Sequence, residues 1–186
     1  MKKVFVLLFI MMTGLLWSQE DSPKELRFEK TIQNIGNFAQ FIPDATALTL
    51  IIVNKDKKGV WQFAESLGTT LGATYILKYT INKPRPDGAT DGHAFPSGHT
   101  ANAFSGASFV QRRYGWKYGV PAYLVAGFVG YSRIGAERHD TWDVLAGAVV
   151  GIGSTYIFTT PYEQDHYELS FKSGGGDYLL GIKYNF

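Results

Sequence analysis

Two of the four histidines in this 186-residue chain sit inside short polar phrases, and histidine is the side chain best suited to exchange protons near neutral pH. His139 stands in Ser132-Arg133-Ile134-Gly135-Ala136-Glu137-Arg138-His139-Asp140-Thr141-Trp142-Asp143. His99 closes Pro96-Ser97-Gly98-His99. A third phrase, Lys78-Tyr79-Thr80-Ile81-Asn82-Lys83-Pro84-Arg85-Pro86, supplies cations. A phosphoryl group needs cations around its equatorial oxygens, a nucleophile in line with the leaving group, and an acid to protonate that group. These residues supply all three without a metal ligand.

Roles follow from spacing. Positions i and i+4 share a helix face, so Asp143 can accept the Nδ1–H of His139 and leave Nε2 as a nucleophile. Asp140 projects elsewhere and is assigned to the helix N-terminus. Ser97 and Gly98, just before a predicted helix, make an anion seat in which Ser97 donates and Gly98 lets the backbone approach. His99 is read as the general acid. The helix terminus lowers its pKa and a bound phosphate raises it, so it is charged only when substrate is present. Lys78, Arg85 and Arg133 are read as phosphate ligands, a lysine point charge and two planar forks. Lys83, Arg112, Arg113 and Arg138 are assigned to the solvated surface.

The three phrases resemble the signature motifs of the type 2 phosphatidic acid phosphatase superfamily: Lys-x6-Arg-Pro, Pro-Ser-Gly-His and Ser-Arg-x5-His-x3-Asp. The resemblance covers roughly residues 61–158. It implies a helical bundle and a metal-independent reaction through a phosphohistidine. It also implies His139 as nucleophile, Asp143 as its orienter, His99 as acid, and Lys78, Arg85, Ser97, Gly98 and Arg133 around the phosphate. Many members carry a proline two residues after the nucleophilic histidine, where this chain has Thr141.

The elements that must position these groups are helical by periodicity. Phe28, Ile32, Ile35, Phe38 and Phe41 recur at helical steps ahead of Pro43. Further helices are predicted over roughly 44–53, 60–81, 100–114, 117–132 and 140–160. Ala64, Gly68 and Gly72 form a small-residue stripe expected to meet another helix. From Tyr167 to Phe186 the apolar residues alternate around Ser173-Gly174-Gly175-Gly176-Asp177, which predicts a β-hairpin covering one side of the core. The fold class is therefore mainly α, a bundle of about five to six helices with a short C-terminal hairpin. Three segments are expected: a leader over 1–18, the helical domain over 19–162 and the hairpin tail over 163–186.

The leader is read from Lys2 and Lys3, the apolar run to Trp17, and Ser18 before Glu20 and Asp21. Its removal leaves 16 Lys+Arg against 16 Asp+Glu, a neutral chain without a basic face, so nucleic-acid binding has no support. The absence of cysteine excludes disulfides, thiolate zinc sites and cysteine nucleophiles. Asp87, Asp91 and His93 do not match a common metal-ligand spacing; His93 is placed at the pocket rim and His166 in solvent. No metal and no cofactor are expected. Of the uncharged runs only Val144–Tyr162 reaches spanning length, so the expectation is an exported helical domain of the periplasm or cell envelope, with membrane association open and an uncleaved N-terminal anchor as the alternative to a leader. The substrate is a phosphomonoester or pyrophosphate, with a lipid ester open. Phosphotransfer to an acceptor, vanadate-dependent halide oxidation and a non-catalytic envelope role are the competing readings.

Overall fold

The computed structural model describes residues 24–86, 92–162, 167–174 and 177–184. Among them the chain forms α1 (Lys24–Ala39), α2 (Ile42–Val53), α3 (Lys57–Ile81), α4 (Gly98–Tyr114), α5 (Trp116–Gly135) and α6 (Thr141–Phe158), then β1 (Tyr167–Gly174) and β2 (Asp177–Tyr184). The expected helical class and hairpin are both present. The leader read in residues 1–18, Asp87, Asp91 and His166 lie outside the described residues.

Local chemistry sets the helix ends. Asp56 caps α3 by accepting from the Gly59 N–H at 2.8 Å. At the other end Asn82 turns left-handed (φ 45°) and its N–H reaches back to the Lys78 carbonyl. Pro84 and Pro86 cannot continue the helix. Asp140 caps α6, its side chain accepting from the Asp143 N–H while the Asp143 side chain accepts from the Asp140 N–H. The assignment of Asp140 to a helix N-terminus is therefore met, and Asp143 has a second duty there.

Helix α4 is the axis of the bundle, packed by α2, α3, α5 and α6. Ala101, Ala103, Ala107, Phe109 and Val110 on it are buried. The approach of α6 requires Gly147 and Gly151: a Cβ at Gly147 would lie 2.6 Å from the Ser97 carbonyl oxygen, and one at Gly151 would run into that of Ala101.

The stripe Ala64-Gly68-Gly72 does not make such a contact. A Cβ added at Gly68 or Gly72 would meet nothing within 4 Å. The face that α3 buries is instead Gln62, Phe63, Ser66, Thr70 and Thr74. Ser66 Oγ pairs with Thr159 Oγ1 at 3.1 Å, and Thr70 Oγ1 pairs with Ser105 Oγ at 3.2 Å. Hydroxyls can face inward here because each also bonds to its own helix backbone, Ser66 to Gln62 O and Thr70 to Ser66 O.

The outward faces are correspondingly apolar. Ile52, Leu124, Val149 and Ile157 are each at least 70% exposed. Exposed Trp61, Trp116, Tyr118 and Tyr156 lie toward one end of the helices, and exposed Tyr79, Tyr131 and Trp142 toward the other. From Trp142 to Tyr156 the rise along α6 is roughly 21 Å. Two segments, Phe28–Val53 and Thr141–Phe158, are long and apolar enough to cross a membrane. The hairpin pairs Tyr167 with Tyr184 through Gly174 with Asp177. Its expected cover over the core is not found among the described residues: it has no extensive packing against a helix, and Leu180 is 74% exposed.

Arg113, expected on the surface, is only 2% exposed. Its Nε and Nη2 each donate to Asp56 at 2.7 Å, and its Nη1 donates to the Thr160 carbonyl at 2.9 Å. Tyr114 also donates to Asp56, at 2.8 Å. Burial works to raise the Asp56 carboxyl, but the bonds from Arg113, Gly59 and Tyr114 together hold it below the ordinary value. Breaking one half of a buried pair strands the other charge. Arg113→Met is expected to destabilise the fold by about 3–5 kcal/mol, read as a fall in the unfolding midpoint. An unchanged midpoint would show that Asp56 does not depend on this partner.

Candidate active site

At the end of the bundle that carries Tyr79, Tyr131 and Trp142, a cavity of about 500 Å³ opens between the three phrases and α1. Its walls include Lys78, Arg85, Gly98, His99, Arg133 and His139, so six of the eight expected site residues meet on one hollow. The other two stand behind the wall. Asp143 is fully buried, with Oδ2 3.6 Å from His139 Nδ1. That separation is longer than a hydrogen bond, and His139 Nδ1 has no hydrogen-bond partner among the described residues. Such contacts tighten when the reacting complex forms.

Ser97 is also fully buried and is not part of the lining. Its Oγ accepts from Thr100 Oγ1 at 2.9 Å, and its N–H donates to the Asp143 carbonyl at 2.9 Å. The Pro-Ser-Gly-His turn is thereby bolted to the start of α6, which carries the nucleophile's partner. A Cβ on Gly98 would make only ordinary contacts, 3.7 Å from Lys78 Cε. Protein packing therefore does not demand glycine there, and its use is the space it leaves in the cavity wall.

The cations are held from different elements. Lys78, near the end of α3, donates to the His93 carbonyl at 2.6 Å. His93 adopts φ 58°, its Nδ1 lies 3.1 Å from the Lys78 carbonyl, and its ring packs 4.5 Å from Tyr79. The residue expected at the rim thus clamps Lys78. Arg133, in the last turn of α5, is 2% exposed. Arg138, assigned to the surface, joins the cavity lining.

Burial and this positive surround act on both imidazoles. His99 is pushed down to about 4 by burial and by Arg133, Lys78 and Arg85. His139 is likewise pushed down to about 4, by burial and Lys78, with Asp143 opposing. Burial and the cations thus hold both neutral at pH 7. A neutral His139 is a competent nucleophile. His99 needs an incoming phosphate to offset the cations before it holds a proton, and burial and three named charges act on it in the first turn of α4.

The residue that spacing alone missed is Lys83. Its Nζ donates to Asp143 Oδ1 at 2.8 Å and also to Asp140 Oδ2. Burial opposes the lysine charge, yet the bonds to Asp140 and Asp143 hold its pKa above the ordinary value. Lys83 thus neutralises the carboxylate behind His139. The signal available in the sequence was its place between the two cations of one phrase, in a segment stiffened by Pro84.

A family profile described as the PAP2 superfamily matches residues 59–166. The chain is 31% identical over 169 residues to a lipid A 4'-phosphatase of Helicobacter pylori strain J99, covering 82% of this chain and 84% of that protein. It is 37% identical over 150 residues to a lipid A 1-phosphatase of Porphyromonas gingivalis; the match takes in 74% of this chain but 34% of that protein's length. Among solved structures, Aquifex aeolicus LpxE superposes with a TM-score of 0.54 at 25% identity, covering 74% of this chain and 96% of LpxE. A transmembrane PAP2-type phosphatidylglycerolphosphate phosphatase from Bacillus subtilis superposes with a TM-score of 0.56 at 23% identity, covering 79% of each chain, and shares the fold.

Lys83→Met should lower kcat roughly 100-fold, the scale of a small misplacement of a catalytic group, while Lys83→Arg retains most of it. Equal activity in Lys83→Met would show that Asp143 is positioned without the ion pair. A nucleophile that must be neutral also places the acid limb of kcat/KM near pH 4. A limb near the ordinary histidine value of about 6.5 would contradict the effect of the surrounding cations on His139.

Proposed function

Because the chain belongs to the PAP2 superfamily, we propose that it is a metal-independent phosphatase that hydrolyses a phosphomonoester of a membrane lipid through a phosphohistidine. The observation that carries this reading is the convergence of His99 and His139 with Lys78, Arg85 and Arg133 on one cavity. Lys78, Arg85, Arg133 and Arg138 give the described lining a positive charge, which suits a phosphate group.

The chemistry runs in two displacements. In the first, the phosphate sits among the three cations and His139 Nε2 attacks phosphorus opposite the leaving oxygen. The P–O ester bond breaks as the P–N bond forms, and His99 passes its proton to the departing alkoxide. Asp143, neutralised on its far side by Lys83, stabilises the positive charge that His139 acquires. In the second, water enters where the alcohol left and gives its proton to His99 as its oxygen bonds phosphorus. The P–N bond breaks, its electron pair returns to His139, and inorganic phosphate departs. The cations carry the developing charge throughout.

A lipid ester is supported by the surface around the site. An apolar belt between two sets of exposed aromatics, with hydroxyls facing the interior, is the pattern of a bundle that meets hydrocarbon outside. Helix α6 is roughly 27 Å long, close to the ~30 Å hydrocarbon core of a bilayer. The chain is accordingly read as spanning a membrane, with the cavity opening at one face where lipid headgroups lie. Lipid A is the substrate class favoured by the names of two relatives. Those names favour hydrolysis over phosphotransfer and halide oxidation.

His139→Ala in carbonate-washed membranes should abolish phosphate release from lipid A, while the wild-type protein stays in the pellet and remains active. His99→Ala should slow lipid A far more than nitrophenyl phosphate, whose leaving group needs little protonation. Undiminished turnover by His139→Ala would remove the mechanism; equal losses on both substrates in His99→Ala would remove the acid.

A further inference from the structure

Helix α1 lies outside the span matched by the family profile, yet Gln33 and Asn37 on it line the cavity. It reaches the site by close contact with the end of α5. A Cβ on Gly36 would lie 2.8 Å from Ser132 Cβ and would also strike Ser132 Oγ, so any larger residue would lift the helix away. At this contact the Arg133 guanidinium is held at all three nitrogens. Nη1 donates to Asn37 Oδ1 at 2.7 Å, Nη2 to the Gln33 carbonyl at 2.7 Å, and Nε to Ser132 Oγ at 3.1 Å. Three acceptors on different residues fix both the plane and the rotation of the fork. Each terminal nitrogen carries a second N–H besides the one given to α1, and Arg133 lines the cavity.

We infer that Asn37 is a positioning residue of the phosphate site, aiming the second N–H pair of Arg133 at the equatorial oxygens of the bound phosphoryl group. The inference deepens the phosphatase reading and rests on it. An arginine used as a bidentate ligand gives its full effect only when its plane is set beforehand, because a swinging fork loses entropy on binding. The Gln33 acceptor is a backbone carbonyl and survives substitution, so Asn37 is the side chain through which the aim can be tested. The aim matters most when charge spreads over the equatorial oxygens, so its loss falls on the transition state more than on ground-state binding.

The test measures orthovanadate inhibition, kcat and KM on nitrophenyl phosphate, and the melting midpoint. It uses the full chain, Asn37→Ala, Arg133→Lys and the double variant. Alanine suits a helix interior, and Asn37→Ser carries the same comparison if the alanine variant does not fold. Asn37→Ala is expected to raise the vanadate Ki about ten-fold, the scale of one hydrogen bond to a charged group, and to lower kcat with little change in KM. In the Arg133→Lys background the same change should alter Ki less than about two-fold, because residues acting through one another are not additive. An unchanged Ki in Asn37→Ala, an equal factor in both backgrounds, or a loss confined to KM would overturn the inference while leaving the phosphatase reading intact. A wild-type chain that is inactive and indifferent to vanadate would remove both.

Discussion

Burying the Asp143 carboxylate completely is tolerable only because every face of it is answered. Lys83 meets Oδ1, the Asp140 N–H meets Oδ2, and the His139 imidazole stands beside the same oxygen. An isolated charge in that position would take up a proton or force the site open. The cluster draws together the loop after α3, the segment before α6 and the first turn of α6. The Asp143 carbonyl extends it to the turn before α4 through the Ser97 N–H. One carboxylate group thus acts as helix cap, as counter-ion to Lys83 and as neighbour of the His139 imidazole.

The rest of the bundle inverts the usual partition of a helical domain. Hydroxyl groups of Ser66, Thr70, Ser105 and Thr155 meet in the interior, where the helices approach closely. Large side chains such as Leu124 and Ile157 turn outward. Net charge is concentrated at the two ends. One end gathers Lys78, Arg85, Arg133 and Arg138 around an open hollow; the other closes Arg113 upon Asp56. The contrast is chemical. Cations gathered around an open hollow invite an anionic ligand, whereas the buried Arg113–Asp56 pair holds the fold together.

Much of the site was legible because its chemistry is carried by local spacing. His139 and Asp143 are neighbours as the i, i+4 spacing suggests, but His139 precedes the Asp140 cap and does not share a helix face with Asp143. The turn before α4 needed no tertiary information, and six of the eight named residues meet on the cavity. The resemblance to a family's motifs supplied their assembly. What could not be read were choices made by long-range contact. Lys83 and Arg113 look like solvated cations until the carboxylates of Asp143 and Asp56 are brought to them from 60 and 57 residues away. Ala64, Gly68 and Gly72 promised a helix contact by size alone, but on this surface small residues lie outside and threonines inside. The α1 contribution of Gln33 and Asn37 was invisible for the same reason, since nothing local marks an amide that meets an arginine 96 residues later.

The contact of α4 with α6 has a consequence for adaptability. His99 rides on the first turn of α4, and His139 directly precedes the cap of α6. Where Gly147 and Gly151 let these helices touch, main chain rests on main chain. The spacing between the His99 and His139 imidazoles is consequently insulated from drift in surrounding side chains. Remodelling of the outer rim can reshape the mouth of the cavity without moving the two imidazoles relative to each other.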